Sequence, residues 1–328
     1  MEGLAPVAVL PAPEVSAVPP VPEVPLAGVN SPITSTTIMK TLFDFQFPGE
    51  FSEWTIWIYL VKAIVFLWIG SQAYVVLRKV SLSQQLAEKD NPAFAISYGG
   101  FIAALGVVIA SVIQSPSPDD FTWGQELVSS IIWTAGSLVL LVGTLLVNDF
   151  VIFPNFKNRK EILEDRNAGL AVVEAASFLG TAILIRASLS EQIEPVDLGE
   201  PWLTLIYFVV GQVLFLLYSK VYPKAAGLDL HGELEKDNPA VGLAFGGSLL
   251  AFALLLGNAK MRYDALPTVV FLAFGYVIVL GLFRLVVHLI FSGKVSLSAE
   301  LQKDRNWGLG LLEAVVSLIV AFIVIASI

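Results

Sequence analysis

Eight long apolar segments, joined by short polar connections, fill the chain from about residue 54 to residue 328. Each segment is close to the roughly 20 residues that cross the hydrocarbon core of a bilayer. They run over 54–77, 93–113, 127–153, 169–189, 202–222, 240–259, 266–291 and 308–328. Because lipid offers no partners for backbone N–H and C=O groups, segments of this length must be helices. The pattern predicts an all-α polytopic membrane protein with eight transmembrane helices.

A short polar string precedes every second apolar segment. Its copies contain Lys89, Asp90, Asn91 and Pro92; Asp165, Arg166 and Asn167; Lys236, Asp237, Asn238 and Pro239; and Asp304, Arg305 and Asn306. The four asparagines stand 76, 71 and 68 residues apart, which is about the length of one helical hairpin. A regular period of this kind indicates a repeat architecture. We therefore predict four hairpins in two parallel tandem units, over residues 49–190 and 200–328.

The Asn-Pro step at the end of two copies is typical of a helix start. Asparagine is a preferred N-cap, and proline suits the first helical position because it has no N–H to leave unpaired. The charged residues before each asparagine need another explanation. We expect them to pair with neighbouring copies across one face of the bundle; the alternative is a solvated loop, since exposed ion pairs contribute little.

Small residues recur in the second and sixth segments. A glycine pair occurs in each, Gly99-Gly100 and Gly246-Gly247. In the second segment Ala95, Gly99 and Ala103 lie four residues apart, and in the sixth Gly242 precedes Gly246 by the same interval. This spacing predicts close packing of these helices against their neighbours.

Composition supports a membrane protein and excludes several classes. Hydrophobic residues make up 56% of the chain and charged residues only 14%, against about 25% in soluble domains. A net charge of −9 argues against a nucleic-acid partner. With no cysteine there is neither a disulfide nor a thiolate metal site. Residues 1–48 are rich in proline, alanine and valine, which predicts a disordered tail.

The basic residues indicate how the chain lies in the membrane. The connections after the first, third, fifth and seventh segments hold thirteen lysines and arginines, and the opposite side holds four. Because cytoplasmic loops carry the excess of lysine and arginine, the four polar strings are predicted to be cytoplasmic, with both termini outside.

Four ionisable residues lie inside the apolar segments at equivalent places, and a fifth lies close to one of them. Glu174 and Glu313 each follow a motif asparagine by seven residues, and Asp149 and His288 each precede one by eighteen. Arg284 lies one turn from His288. Intramembrane charges mark ion or proton pathways by default. We expect Asp149 and Glu174 to oppose and repel each other, recruiting a proton or cation. In the second unit we expect His288, with Arg284 one turn away, to oppose Glu313 and to supply the countercharge. The alternative is that these residues merely hold the bundle together near the interface.

The Lys-Asp-Asn-Pro-Ala strings followed by Gly-Gly, and the Asp-Arg-Asn strings before a helix with glutamate, resemble the DUF350 family of bacterial inner-membrane proteins. Two tandem copies would cover about residues 50–328. The resemblance implies a bacterial inner-membrane location and brings no established activity.

Two functions are consistent with the sequence. The first is conduction or transport of protons or small cations through the intramembrane carboxylates. The second is a membrane scaffold whose charged cytoplasmic loops bind a protein partner or order a homo-oligomer. No HExxH, GxSxG or phosphate-binding loop is present, so we expect neither enzymatic activity nor a cofactor.

Overall fold

The computed structural model describes residues 53–115, 122–152, 158–189, 200–291 and 296–328. They belong to one compact unit, Glu53–Ile328. Its described secondary structure is helical throughout, and eight helices are long and apolar enough to cross a membrane. These are α1 (Glu53–Arg78), α2 (Pro92–Gln114), α3 (Trp123–Val147), α5 (Ala168–Ser188), α6 (Glu200–Ala226), α8 (Pro239–Arg262), α9 (Leu266–Phe291) and α11 (Trp307–Ser327). The predicted fold class and the eight spans are confirmed, and the predicted tail lies outside the described residues.

Short helical segments precede the four motif copies. They are a π-helical turn over Gln84–Glu88, α4 (Asn158–Leu163), α7 (Leu230–Glu235) and α10 (Leu297–Gln302). A second π-helical turn, Asn148–Ile152, extends α3. Each copy of the repeat is thus an outer long helix, a short helical segment, the polar motif and an inner long helix.

The four inner helices, α2, α5, α8 and α11, pack side by side in that order, and each shares its most extensive interface with its neighbours in this row. They run in parallel, because their N-terminal motifs contact one another at one end of the bundle. We call this end the motif end. The outer helices α1, α3, α6 and α9 flank the row and present large apolar side chains such as Trp68, Val139 and Phe271 outward. An apolar exterior of this kind suits a lipid environment.

Small residues allow the inner helices to approach closely at equivalent positions. In each case, the residue nine positions after the motif asparagine of one copy contacts the residue eight positions after the motif asparagine of the following copy. These pairs are Gly100 with Ala175, Ala176 with Gly246, and Gly247 with Ala314. A methyl group added to Gly100 or Gly247 would overlap the opposing alanine. Helix α8 therefore uses both glycines of its pair, one toward each neighbour.

The first glycine pair behaves differently, because α2 stands at one end of the row. Gly100 packs on α5, but a methyl group added to Gly99 would have no atom within 4 Å. Ala95 and Ala103 are exposed on the same side. The expected packing role of Ala95, Gly99 and Ala103 is therefore wrong within this chain, whereas that of Gly100, Gly242, Gly246 and Gly247 is confirmed by their contacts.

Two alanine substitutions on α2 should have opposite effects on stability. Gly106 also faces open space, so Gly106→Ala should leave the chain unchanged or stabilise it by up to about 1 kcal/mol, the helix-propensity difference. Gly100→Ala should destabilise it by about 1–3 kcal/mol because the added methyl group overlaps Ala175. Thermal unfolding in detergent, followed by the loss of the monodisperse peak, measures both. Equal behaviour of the two variants would contradict this packing.

Candidate functional site

Each motif joins a short helical segment to a long inner helix through one sharp backbone turn. The residue before the motif asparagine has a positive φ in every copy: 47° at Asp90, 58° at Arg166, 53° at Asp237 and 48° at Arg305. This conformation lets the asparagine N–H reach back to a carbonyl five or six residues earlier, at 2.9–3.2 Å, as in a Schellman C-cap. The left-handed position usually holds glycine and costs other residues roughly 1–2 kcal/mol.

The side-chain oxygen of each asparagine caps the long helix that follows. Asn91 accepts from the N–H of Phe94 at 3.1 Å and Asn167 from that of Leu170 at 2.8 Å. In the other copies Asn238 accepts from Ala240 and Val241, and Asn306 accepts from Leu309. The predicted N-caps are therefore confirmed.

The side-chain nitrogen of each asparagine donates to an acidic or amide residue of its own short segment. The acceptors are Gln85, Glu161, Glu233 and Glu300, at 2.8–3.4 Å. The sequence interpretation missed these four residues. A signal existed, because each is followed directly by leucine or isoleucine and lies five or six residues before a motif asparagine.

The second proton of the side-chain amide connects neighbouring copies. Asn91 donates to the carbonyl of Ile162 at 2.9 Å, Asn167 to that of Leu234 at 2.5 Å, and Asn238 to that of Leu301 at 2.8 Å. These three asparagines are almost fully buried, at 2%, 1% and 0% exposure. Both amide protons and the oxygen are satisfied, as buried polar groups require. This series, in which each copy donates to the next, is the asparagine relay.

The charged motif residues do not form the expected lock between copies. Two ion pairs at the motif end, Lys160–Asp165 at 3.0 Å and Lys236–Glu233 at 3.2 Å, each lie within one copy. Lys89, Asp90, Arg166, Asp304 and Arg305 are exposed. One acid does reach another copy, since the N–H of Gly169 donates to Asp237 at 3.3 Å. Asparagine amides and backbone carbonyls, rather than ion pairs, make the principal polar connection.

In the first half of the chain, three ionisable residues meet inside the bundle near the motif end. The Arg78 guanidinium binds Asp149 through Nη1 at 3.0 Å and Glu174 through Nη2. Ser97 donates to the second oxygen of Glu174. Glu174 is 1% exposed, whereas the side chain of Asp149 is 34% exposed. We call Arg78, Asp149 and Glu174 the first ion cluster.

The expected repulsion between Asp149 and Glu174 is therefore replaced by attraction to a shared cation. The two carboxylates do come to one place, but Arg78 lies between them. Sequence interpretation counted Arg78 among the cytoplasmic loop residues because it directly follows the apolar segment 54–77, whereas in the structure it is the last residue of α1. Which helix face it occupies follows only from the packing of α1 on α2 and α3.

In the second half, Arg284 pairs with Glu313 through Nε. Tyr222 also donates to Glu313, at 3.3 Å. The other oxygen of Glu313, Oε2, has no hydrogen-bond partner among the described residues. His288, which was expected to oppose Glu313, lines a cavity of about 300 Å³ together with Arg284 and Tyr222. We call Arg284 and Glu313 the second ion pair.

The two halves supply the arginine from different helices. In the first half Arg78 comes from α1 and binds Glu174 of α5, and Tyr74, one turn before Arg78, hydrogen-bonds Ser97. In the second half Arg284 comes from α9 and binds Glu313 of α11, and Tyr222 of α6 donates to the same glutamate. The glutamate position is retained while its partner moves.

Lys62 lies far from these clusters, toward the opposite end of α1. It is buried, its Nζ lies 4.9 Å from the centre of the Tyr59 ring, and Tyr59 donates to Glu126 at 3.1 Å. No hydrogen-bond acceptor for Nζ occurs among the described residues. The described residues also contain no group of three histidine, aspartate or glutamate side chains able to hold a metal ion. The site is therefore one of buried ion pairs.

Comparison with known proteins identifies the family. The family model described as Domain of Unknown Function (DUF350) matches residues 46–189 and 197–328. This chain belongs to the DUF350 family. The DUF350 chain is also similar to a UPF0719 transmembrane protein of Aquifex aeolicus (strain VF5), with 24% identity over 275 residues that cover 80% of this chain and 97% of the relative. No solved structure shows a significant match. The chain is an integral membrane protein of a family without an assigned function.

Replacing asparagine by aspartate at two motif positions should test the relay separately from helix capping. Asn238→Asp keeps the capping oxygen but loses the donor to Leu301 and places a negative charge beside Glu233. It should lower the unfolding free energy by about 1–3 kcal/mol, the range for a buried polar group left unsatisfied. Asn306→Asp is the matched control, because Asn306 is exposed and has no following copy. Denaturant unfolding of the monomeric chain should show a much smaller change for the control; equal losses would argue against the relay.

The second ion pair should be more costly to break than to remove. Arg284→Met leaves Glu313 buried without its cation and should destabilise the chain by about 3–5 kcal/mol. The double variant Arg284→Met with Glu313→Leu should recover most of this loss, since apolar replacement of a buried pair is often neutral. A double-mutant cycle by thermal unfolding measures the coupling. If the double variant is as unstable as Arg284→Met, the buried charge is not the cause.

Proposed function

We propose that this DUF350 protein conducts protons across the membrane, with Glu174 and Glu313 as the proton-binding groups of its two halves. The observation that carries the proposal is that both halves keep one buried glutamate at the equivalent position while taking its arginine from different helices. Apolar side chains would hold these helices together at lower cost than a buried ion pair. Retention of the acid therefore favours a chemical role for it.

The first ion cluster could take up a proton from the motif end. Asp149 is partly exposed, Arg78 contacts both acids, and Glu174 is buried behind them. One guanidinium balances one carboxylate, so the cluster can bind one proton and remain charge-compensated. When the proton passes from Asp149 to Glu174, Asp149 regains its negative charge and Arg78 would shift from Glu174 to Asp149, so that the ionised carboxylate stays paired.

Coordination at Glu174 favours protons over metal cations. One of its oxygens accepts from Arg78 and the other from Ser97. A dehydrated cation needs several oxygen ligands, and both glutamate oxygens already have donors. A proton requires only that one donor move away.

The second half has a proton acceptor of its own and a cavity beside it. Oε2 of Glu313 lacks a partner among the described residues, and a buried unsatisfied carboxylate oxygen is a favourable place for a proton. The neighbouring cavity of about 300 Å³ is lined by Arg284, His288 and Tyr222. The imidazole of His288 has both a donor and an acceptor nitrogen when it is neutral.

The second candidate is a non-transporting scaffold. It is favoured by the exposed charges at the motif end, among them Lys89, Asp90 and Arg305, which are free to meet a cytoplasmic protein. We also propose that the protein resides in the bacterial inner membrane with the motif end in the cytoplasm and both termini outside, on the strength of its basic connections.

Proton flux in proteoliposomes should separate the two candidates. With a potassium gradient and valinomycin providing the driving force, the wild-type chain should acidify or alkalinise vesicles loaded with a pH-sensitive dye. Glu174→Gln should abolish most of this flux and Asp149→Asn should reduce it, because each removes a proton-binding carboxylate. Asp165→Asn is the matched control, since Asp165 forms a half-exposed ion pair outside the cluster. Absent wild-type flux, or flux unchanged in Glu174→Gln, would contradict proton conduction and favour the scaffold.

A further inference from the structure

The row of inner helices is open at both ends, and the two ends match. Within the chain, copy one donates to copy two, copy two to copy three, and copy three to copy four. Copy four is the last copy in the sequence. Its Asn306 is exposed, in contrast to the three buried asparagines. The relay therefore ends with a donor at a solvent-accessible surface.

The acceptor end is open in the complementary way. Ile162, Leu234 and Leu301, whose carbonyls accept from the preceding copy, are 3%, 0% and 0% exposed. Leu86 occupies the equivalent position in copy one, directly after Gln85, and it is 39% exposed. Leu86 differs from the other three in its exposure, and it is the one that belongs to the first copy in the sequence.

The helix faces beneath these residues show the same complementarity. At the internal interfaces a methyl group on Gly242 would meet the carbonyl of Gly169, and one on Gly310 would meet that of Ala240. The equivalent positions at the open ends are Ala95 on α2 and Gly308 on α11. Both are small and exposed. The same position at the first internal interface is Ala171, which is 0% exposed, so an alanine such as Ala95 is accommodated between two inner helices.

The next layer of the row is also free at both ends. One helical turn or more further along the helices, each internal interface brings together the residue nine positions after the asparagine of one copy and the residue eight positions after the asparagine of the next copy. At the open ends these are Val315, which is 42% exposed, and Gly99, which faces open space. At the open ends the glycine would lie on α2 and the larger residue on α11, as Gly246 lies opposite Ala176 within the chain.

We propose that α11 and Asn306 of one copy of this chain pack against Leu86 and α2 of a second copy, so that the row continues from chain to chain. Asn306 would donate its free amide proton to the Leu86 carbonyl. The occupant is a second copy because the surface continues an interface that the chain builds three times internally. All inner helices are parallel, so both chains would have the same orientation in the membrane.

The contact joins two different surfaces, and an association of this kind closes into a ring or extends as a linear array. A symmetric dimer would instead bury α11 against α11 or α2 against α2. The distinction can be tested because the chain contains no cysteine. Single cysteines introduced at Ala95 and Gly308 then report only on the new interface.

Cross-linking in native membranes should show head-to-tail contact. Differently tagged Ala95→Cys and Gly308→Cys chains, expressed together and oxidised with copper phenanthroline, should form a mixed disulfide dimer. Either variant alone should form none, and one chain carrying both cysteines should give a ladder of oligomers. Val139→Cys, exposed on α3 away from the row, is the control partner for Gly308→Cys. Disulfide dimers of Gly308→Cys alone, or no dimer from the mixed pair, would overturn the proposal.

A second measurement tests the same contact without relying on disulfide formation, which could fail if the two cysteines are unfavourably oriented. The wild-type chain in lipid nanodiscs should have a mass of more than one 35.4 kDa protomer. Gly308→Trp should be monomeric, and Gly136→Trp, at an exposed glycine of α3, should keep the wild-type mass. Thermal unfolding confirms that both variants fold. A monomeric wild-type chain, or Gly308→Trp with the wild-type mass, would count against the head-to-tail contact.

Discussion

The structure depends most on the asparagine side-chain amide, because this one group satisfies two neighbouring copies of the repeat at once. Its oxygen fixes where an inner helix begins, and its nitrogen holds the preceding segment and the carbonyl of the next copy. Apolar burial contributes little to helix association in lipid, where side chains leave one apolar environment for another. Directional hydrogen bonds and close packing of small residues must then set the register. The relay and the Gly–Ala contacts supply these two requirements at the motif end and along the helices.

The ion pairs are less regular than the relay, because their arginines come from different helices in the two halves. The glutamates are seven residues past the motif asparagines, so the relay fixes their depth in both halves. Their arginines come from α1 in one half and α9 in the other. The two halves thus diverged in how they balance the charge but not in where the acid lies. An arrangement needed only for packing would place no such restriction on the acid.

Much of the fold could be predicted from the sequence, because membrane helices and their caps depend on local patterns. The eight spans, the N-caps at Asn91 and Asn238, and the equivalence of Glu174 with Glu313 all follow from periodicity and spacing. Two features could not be found this way. Arg78 is the last residue of its span, and only the packing of three helices turns it toward Glu174. The relay acceptors are backbone carbonyls, which leave no residue type to recognise. Gly99 was misjudged because its sequence context is that of Gly246, and only its place at the end of the row differs.

The most direct test of the relay is the solvent exchange of the four asparagine side-chain amides, measured by NMR on chains labelled at asparagine and assigned with single Asn→Asp variants. In the monomeric chain, the amides of Asn91, Asn167 and Asn238 should exchange slowly and that of Asn306 rapidly. On assembly of chains, the Asn306 amide should become protected like the other three. Four amides that exchange alike in the monomer would contradict both the relay and its open end.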